Sequence, residues 1–116
     1  MSCTLESHYG SDGIVDRIVD ALDEAGTDAS SLTPDSFAGA DEFHIGGRKG
    51  SEIVADLLNI EGGRKIIDLG CGIGGPARFL ARTKGVHVTG IDLTPEFVEA
   101  ASALTQLVGM SDQVDF

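Results

Sequence analysis

Ten residues carry the clearest chemistry in the sequence: Ile66-Ile67-Asp68-Leu69-Gly70-Cys71-Gly72-Ile73-Gly74-Gly75. An apolar run with one acid inside it reads as a strand, breaks into a glycine turn and enters a helix at Pro76. Gly70 and Gly72 permit positive φ and leave no Cβ between backbone and ligand. Gly74 or Gly75 allows close packing of helix on strand. The spacing satisfies both Gly-x-Gly-x-Gly and Gly-x-Gly-x-x-Gly, by which backbone approaches a nucleotide-like ligand. A tight strand-to-helix turn that binds nothing uses the same residues. Asp92 sharpens the choice: it follows Gly72 by 20 residues, where a carboxylate can accept hydrogen bonds from both ribose hydroxyls. The alternative for Asp92 is an acid favoured only by the dipole of the next helix. Turn and acid together point to an adenosine-containing ligand.

Asp68 separates two cofactor classes. A dinucleotide lays its pyrophosphate over the helix N-terminus, and an acid two residues before the first glycine opposes that charge. S-adenosylmethionine has no phosphate and carries a sulfonium and an α-ammonium, which a carboxylate favours. Pro76 at the first helical position, with no base beside it, agrees with a ligand lacking phosphate. Asp68 as a structural acid bonded to backbone amides stays open beside that role. Cys71 contributes its backbone to the turn, and no thiol chemistry is expected of it.

The elements that position these residues follow from periodicity. Residues 11–25 predict an amphipathic helix with Ile14, Ile18 and Leu22 on one face, capped by Ser11 and stopped by Gly26. Thr33-Pro34 can open one short helical turn. A second helix is expected over about 48–59, with Ile53, Val54, Leu57 and Leu58 as its apolar face and Arg48 and Lys49 as surface charges at its start. From about residue 63 the pattern changes. Lys65 to Leu69 reads as a buried strand, Pro76 to Arg82 as a helix with Phe79 and Leu80 inward, and Val86 to Ile91 as a second strand. Thr94-Pro95 opens a helix with Phe97, Ala101, Leu104 and Val108 inward, ended by Gly109. Gln113 to Phe116 starts a third strand.

That βαβαβ series predicts an α/β fold with a parallel, Rossmann-like sheet and right-handed crossovers. The expected organisation is an N-terminal helical lid over 1–62 and a partial cofactor-binding domain over 63–116. The first strand would have a neighbour on one side only. The sequence therefore reads as the front half of a larger domain, with an open apolar edge that invites a second copy to cover it.

The net charge is −11, and residues 1–62 hold nearly all of it, with 13 acids against 3 bases. Such a surface repels a phosphate backbone, so nucleic acid is a poor partner. An acidic solvated face, or adaptation to high salt, accounts for it. Mean hydropathy is near zero, with no run of the roughly 18 apolar residues a membrane span needs and no secretory signal at the N-terminus. Cys3 and Cys71 lie far apart without His or Cys partners, so neither a metal site nor a disulfide is expected and a cytoplasmic location follows by default.

Ile66–Gly75 with Gly90-Ile91-Asp92-Leu93 resembles the first two motifs of class I S-adenosylmethionine-dependent methyltransferases. The runs Cys71–Arg78 and Asp92-Leu93-Thr94-Pro95-Glu96-Phe97 are closest to the small-molecule branch, which includes sarcosine/dimethylglycine, phosphoethanolamine, sterol and quinone-type enzymes. His8-Tyr9-Gly10 and Phe43-His44-Ile45-Gly46-Gly47 resemble that branch's lid. The resemblance implies that Asp68, Gly70 and Gly72 line the methionine moiety, with the Cys71 backbone beside them among the cofactor-binding residues. Asp92 would then bind the ribose, Leu93 pack on adenine, and Tyr9 and His44 reach the cofactor from the lid. It implies methyl transfer to a small-molecule acceptor, an amine among the candidates. The family's third-strand acid and most of its acceptor-binding residues have no counterpart in this sequence, and no catalytic residue can be named. Two other readings are a non-catalytic fragment that acts as an association module and half of a nicotinamide-dependent oxidoreductase, which Asp68 disfavours.

Overall fold

The computed structural model describes residues 13–41 and 46–116. Helix α1, Ile14–Glu24, begins where the Gly13 N–H donates to Asp16 Oδ2 at 3.4 Å. It is followed by Gly26 in the left-handed region, φ 81°; the expected cap Ser11 lies outside the described residues. Val15 is buried, with Ile14, Ile18, Val19 and Leu22 packed around it, as the apolar stripe requires. Two 3-10 turns follow, Ala29–Ser31 and Pro34–Phe37. The second is the turn that Thr33-Pro34 predicts, and the Thr33 N–H donates to Ser36 Oγ at 3.1 Å. A short α2, Ala38–Asp41, and then α3, Gly47–Leu57, complete this half.

The second half runs β1 (Lys65–Leu69), α4 (Gly75–Lys84), β2 (His87–Ile91), α5 (Pro95–Leu107) and β3 (Val114–Asp115). The strands are parallel in the order β1-β2-β3. Asp68 stands opposite Gly90 and Leu69 opposite Ile91, so the motif-bearing ends of β1 and β2 are level. This is the α/β, Rossmann-like series that the sequence predicts.

Two apolar clusters hold it. Val15 and Phe37 join Ile73, Ala100 and Leu104, binding α1 to α5. Ala77, Ala81, Val86, Val88, Met110 and Val114 seal α4 against the sheet.

Two expectations of burial are corrected. Ile67 and Leu69 of β1 are 65% and 76% exposed. A strand order of β1-β2-β3 with right-handed crossovers puts α4 and α5 on one face of the sheet. Side chains alternate, so Val88 faces the helices while Ile67, Leu69 and Ile91 point away from them. Nothing among the described residues covers that face. On α3 the expected apolar face is also exposed, with Ile53 at 51% and Leu57 at 79%. The helix instead buries Ser51 and Ala55, and Arg48, on the same face at i, i+3, i+7, lies 4.6 Å from the Phe79 ring centroid of α4.

The acidic half is fastened to the sheet half through Asp35. Arg82 of α4 donates to both its oxygens at 2.7 and 2.8 Å, and Arg48 donates at 2.8 Å. Arg48, a charge at the start of α3, thus also acts as a clamp, whereas Lys49 pairs among the described residues with Glu52, at 3.5 Å.

Candidate cofactor site

The glycine turn is built by backbone bonds between the ends of β1 and β2. The Ile91 carbonyl accepts from the Gly70 N–H at 2.7 Å and the Cys71 N–H at 3.1 Å. Gly70 and Gly72 have φ of 74° and 57°, conformations that L side chains rarely adopt. A Cβ on either would meet no described residue within 4 Å, so among the described residues nothing stands directly over this backbone. Gly74 serves packing instead: a Cβ there would come within 2.6 Å of the Phe116 ring.

Asp92 staples the turn. Its Oδ2 accepts from the Gly72 N–H and its Oδ1 from the Thr94 N–H, both at 2.9 Å. The Thr94 and Gly72 amides hold its carboxyl below the usual carboxylate range. A carboxylate offers about four acceptor directions, more than the Gly72 and Thr94 amides fill. Both readings of Asp92 are thus compatible in one geometry: it orders the start of α5 and stays an acceptor.

Asp68 contrasts with it. Among the described residues no hydrogen-bond donor reaches its carboxylate. Burial, and then the charge of Asp92, push its pKa up. Cys71 is 4% exposed, and burial, reinforced by the Asp68 and Asp92 carboxylates, pushes its thiol up to about 11. A thiol so protonated is no nucleophile.

Two cavities flank the turn and share Gly70, Cys71 and Pro76. The larger, about 780 Å³, lies between α1 and the turn and is lined by Ile14, Ile18, Ile73 and Phe97, with Arg17 and Ser36 among its polar members. The smaller, about 420 Å³, lies between α3 and β1 and contains Asp68 beside Ser51, Val54 and Leu80. Asp68, Gly70, Cys71, Gly72 and Asp92 therefore converge at the carboxyl ends of β1 and β2, where open parallel sheets place ligands. Leu93 is adjacent and fully exposed. Tyr9 and His44 lie outside the described residues. Sequence reasoning missed two lining residues. Phe97 was expected inside α5 but is 39% exposed in the larger cavity. Arg17 gave one signal, as the single base on an otherwise acidic helix.

A family model described as a methyltransferase domain matches residues 66–116. The chain is similar to the methyltransferase phqN of Penicillium fellutanum, with 48% identity over 63 residues, which is 54% of this chain and 19% of that protein. It is also similar to phosphoethanolamine N-methyltransferase 1 of Triticum aestivum, with 39% identity over 71 residues, covering 61% of this chain and 14% of that one. The chain thus spans a fifth or less of the length of these two curated relatives. A solved S-adenosylmethionine-dependent methyltransferase from Thiobacillus denitrificans, in complex with S-adenosylhomocysteine, superposes with a TM-score of 0.58 at 32% identity. That match covers 67% of this chain and 32% of that structure.

Proposed function

We propose a function from one premise: this chain belongs to the class I S-adenosylmethionine-dependent methyltransferases. It binds S-adenosylmethionine at the carboxyl ends of β1 and β2 and serves methyl transfer to a small-molecule acceptor, an amine among the candidates. Asp68 carries this reading. A half-buried carboxylate with no donor among the described residues, beside a glycine turn with no described residue over it, suits a ligand that brings positive charge and no phosphate. Opposite charges 4 Å apart attract by about 4 kcal/mol at an effective dielectric of 20, and a pyrophosphate at the same distance is repelled on the same scale.

When bound, the cofactor supplies an electrophilic methyl group on a sulfonium. The chain's own residues bind and orient. Asp92 accepts from the ribose hydroxyls while it holds the Gly72 backbone. Gly70 and Gly72 let main chain approach the methionine portion. Leu93 gains cover from the adenine, and Tyr9 and His44, outside the described residues, are the family resemblance's further cofactor-binding candidates. The apolar lining of the larger cavity, Ile14, Ile18 and Phe97, excludes water from the acceptor. The division into a lid over 1–62 and a cofactor-binding part over 63–116 belongs to this proposal. So does a cytoplasmic location, which the free thiol of Cys71 suits; among the described residues no helix is long and apolar enough to cross a membrane.

Titration calorimetry tests the proposal. The chain is expected to bind S-adenosylhomocysteine and not NAD, and Asp92→Asn to weaken S-adenosylhomocysteine by roughly tenfold, the scale of a hydrogen bond to a charged group. No heat with S-adenosylhomocysteine would overturn it. The bare face of the sheet, with Ile67, Leu69 and Ile91 exposed, favours a second reading in which the chain associates with a second copy of itself through that face.

A further inference from the structure

We infer that Arg17 is a specificity residue which selects an acceptor carrying an anionic group on an apolar body. The inference rests on the methyltransferase reading above and deepens it. The sequence contains eight bases. Arg48 and Arg82 are bound to Asp35, Lys49 to Glu52, Arg64 to Glu61 and Lys84 to Asp56. Arg78 is buried and donates to the Ala101 carbonyl and to Thr105 Oγ1. In a chain of net charge −11, nearly every cation is thus matched from within. Arg17 and Lys65 make no ion pair with any described residue, although Asp20 follows Arg17 by one helical turn. Of these two, Arg17 alone lines the larger cavity.

Among the described residues Arg17 is also the only charged one in that lining. Around it stand Ile14, Ile18, Phe97 and Ile73, with the Ser36 hydroxyl as a further polar group. A lining that is mostly apolar among the described residues, with one guanidinium and the Ser36 hydroxyl, matches an amphipathic anion, because Arg presents a planar fork to a carboxylate or phosphate. An amine or a neutral acceptor without an anionic group leaves that fork unused. The cofactor's cationic end is placed on the other side of the turn, since Asp68 lines the smaller cavity and Arg17 does not. The division of charge between the two cavities assigns the methionine portion to Asp68 and the acceptor's anion to Arg17.

The test uses octanoate and octyl phosphate against octanol as probes, titrated into the full chain with and without saturating S-adenosylhomocysteine. Octanoate and octyl phosphate are expected to bind at least about tenfold tighter than octanol, with the preference shrinking as salt rises. Arg17→Gln is expected to bring both anions to the octanol level without changing S-adenosylhomocysteine affinity, and Arg17→Lys to restore part of the preference. Equal binding of octanoate and octanol, or binding of neither, overturns the proposal, as does a preference that survives in Arg17→Gln. Weaker S-adenosylhomocysteine binding in Arg17→Gln, with 5′-methylthioadenosine unaffected, reassigns Arg17 to the cofactor's own carboxylate and overturns it too. Failure of the cofactor reading shows separately, as absence of S-adenosylhomocysteine binding by the unsubstituted chain, since the probe ratio is also read without it.

Discussion

On one face of the sheet Val88 and Val114 are sealed beneath α4; on the other Ile67 and Leu69 stand in the open. Both sets belong to short parallel strands of one sheet, and both are aliphatic. The difference is made by topology. Strands that step in one direction across a sheet, joined by right-handed crossovers, receive their helices on one side only. Hydropathy marks which residues gain from burial, and connectivity decides which of them obtain it.

The largest effect expected from this contrast compares two leucines. Leu104 of α5 is fully buried in the cluster that binds α1 to α5, so Leu104→Ala is expected to cost about 2–5 kcal/mol in urea denaturation. Leu69→Ala, at a site 76% exposed, is expected to stay within about 0.5 kcal/mol. If a second copy covers the bare face, the cost of Leu69→Ala rises with protein concentration, and sedimentation shows the assembly weakened. Equal, concentration-independent costs at the two positions would break the contrast.

The contrast also marks what was legible in the sequence. The Ile66–Gly75 run gave the strand, the turn and the helix entry, because glycine spacing and Pro76 act locally. Gly26, Thr94-Pro95 and Gly109 punctuated the helices for the same reason. The convergence of Asp68, Gly72 and Asp92 was readable from spacing along a βαβ unit. The exposure of Ile53 and Leu57 was not. The apolar stripe of α3 gives no sign that the helix buries Ser51 and Ala55 instead and sets the Arg48 guanidinium over the Phe79 ring. Nor was the Asp35 clamp legible, since its partners lie 13 and 47 residues away and surface charges carry no periodic signature.

The clamp gives the next effect in size. Asp35 ties the acidic half to the covered side, and Arg82 first, with Arg48, holds its carboxyl below the usual range. A depressed carboxyl stabilises above its unfolded pKa, near ~3.9, and the contribution is lost as pH falls through the lower folded value. Its side chain is 57% exposed, so screening limits the whole network to about 1 kcal/mol. Asp35→Ala is expected to lose that amount at pH 7 and to match the unsubstituted chain in strong acid. A deficit unchanged at low pH would mean that the clamp acts through packing of Arg48 on Phe79 and not through charge.

The smallest effect sets Asp68 against its neighbour Leu69, one residue apart on opposite faces. Burial raises the Asp68 pKa, so the free protein holds its proton more tightly than the unfolded chain does. Stability therefore falls as pH rises from the unfolded value, near ~3.9, through the folded one. A cationic ligand reverses the preference, because it favours the ionised form. S-adenosylhomocysteine, through its α-ammonium, is expected to bind more tightly as pH rises across that window and then to level off. Asp68→Asn is expected to flatten this profile and weaken binding at pH 7 about threefold to fivefold, the scale of a partly solvated charge pair. The same substitution is expected to stabilise the unliganded chain slightly at pH 7. Opposite signs for stability and affinity belong to a carboxylate kept for a ligand. Leu69→Asn, on the bare face, is expected to change neither the affinity nor its pH profile.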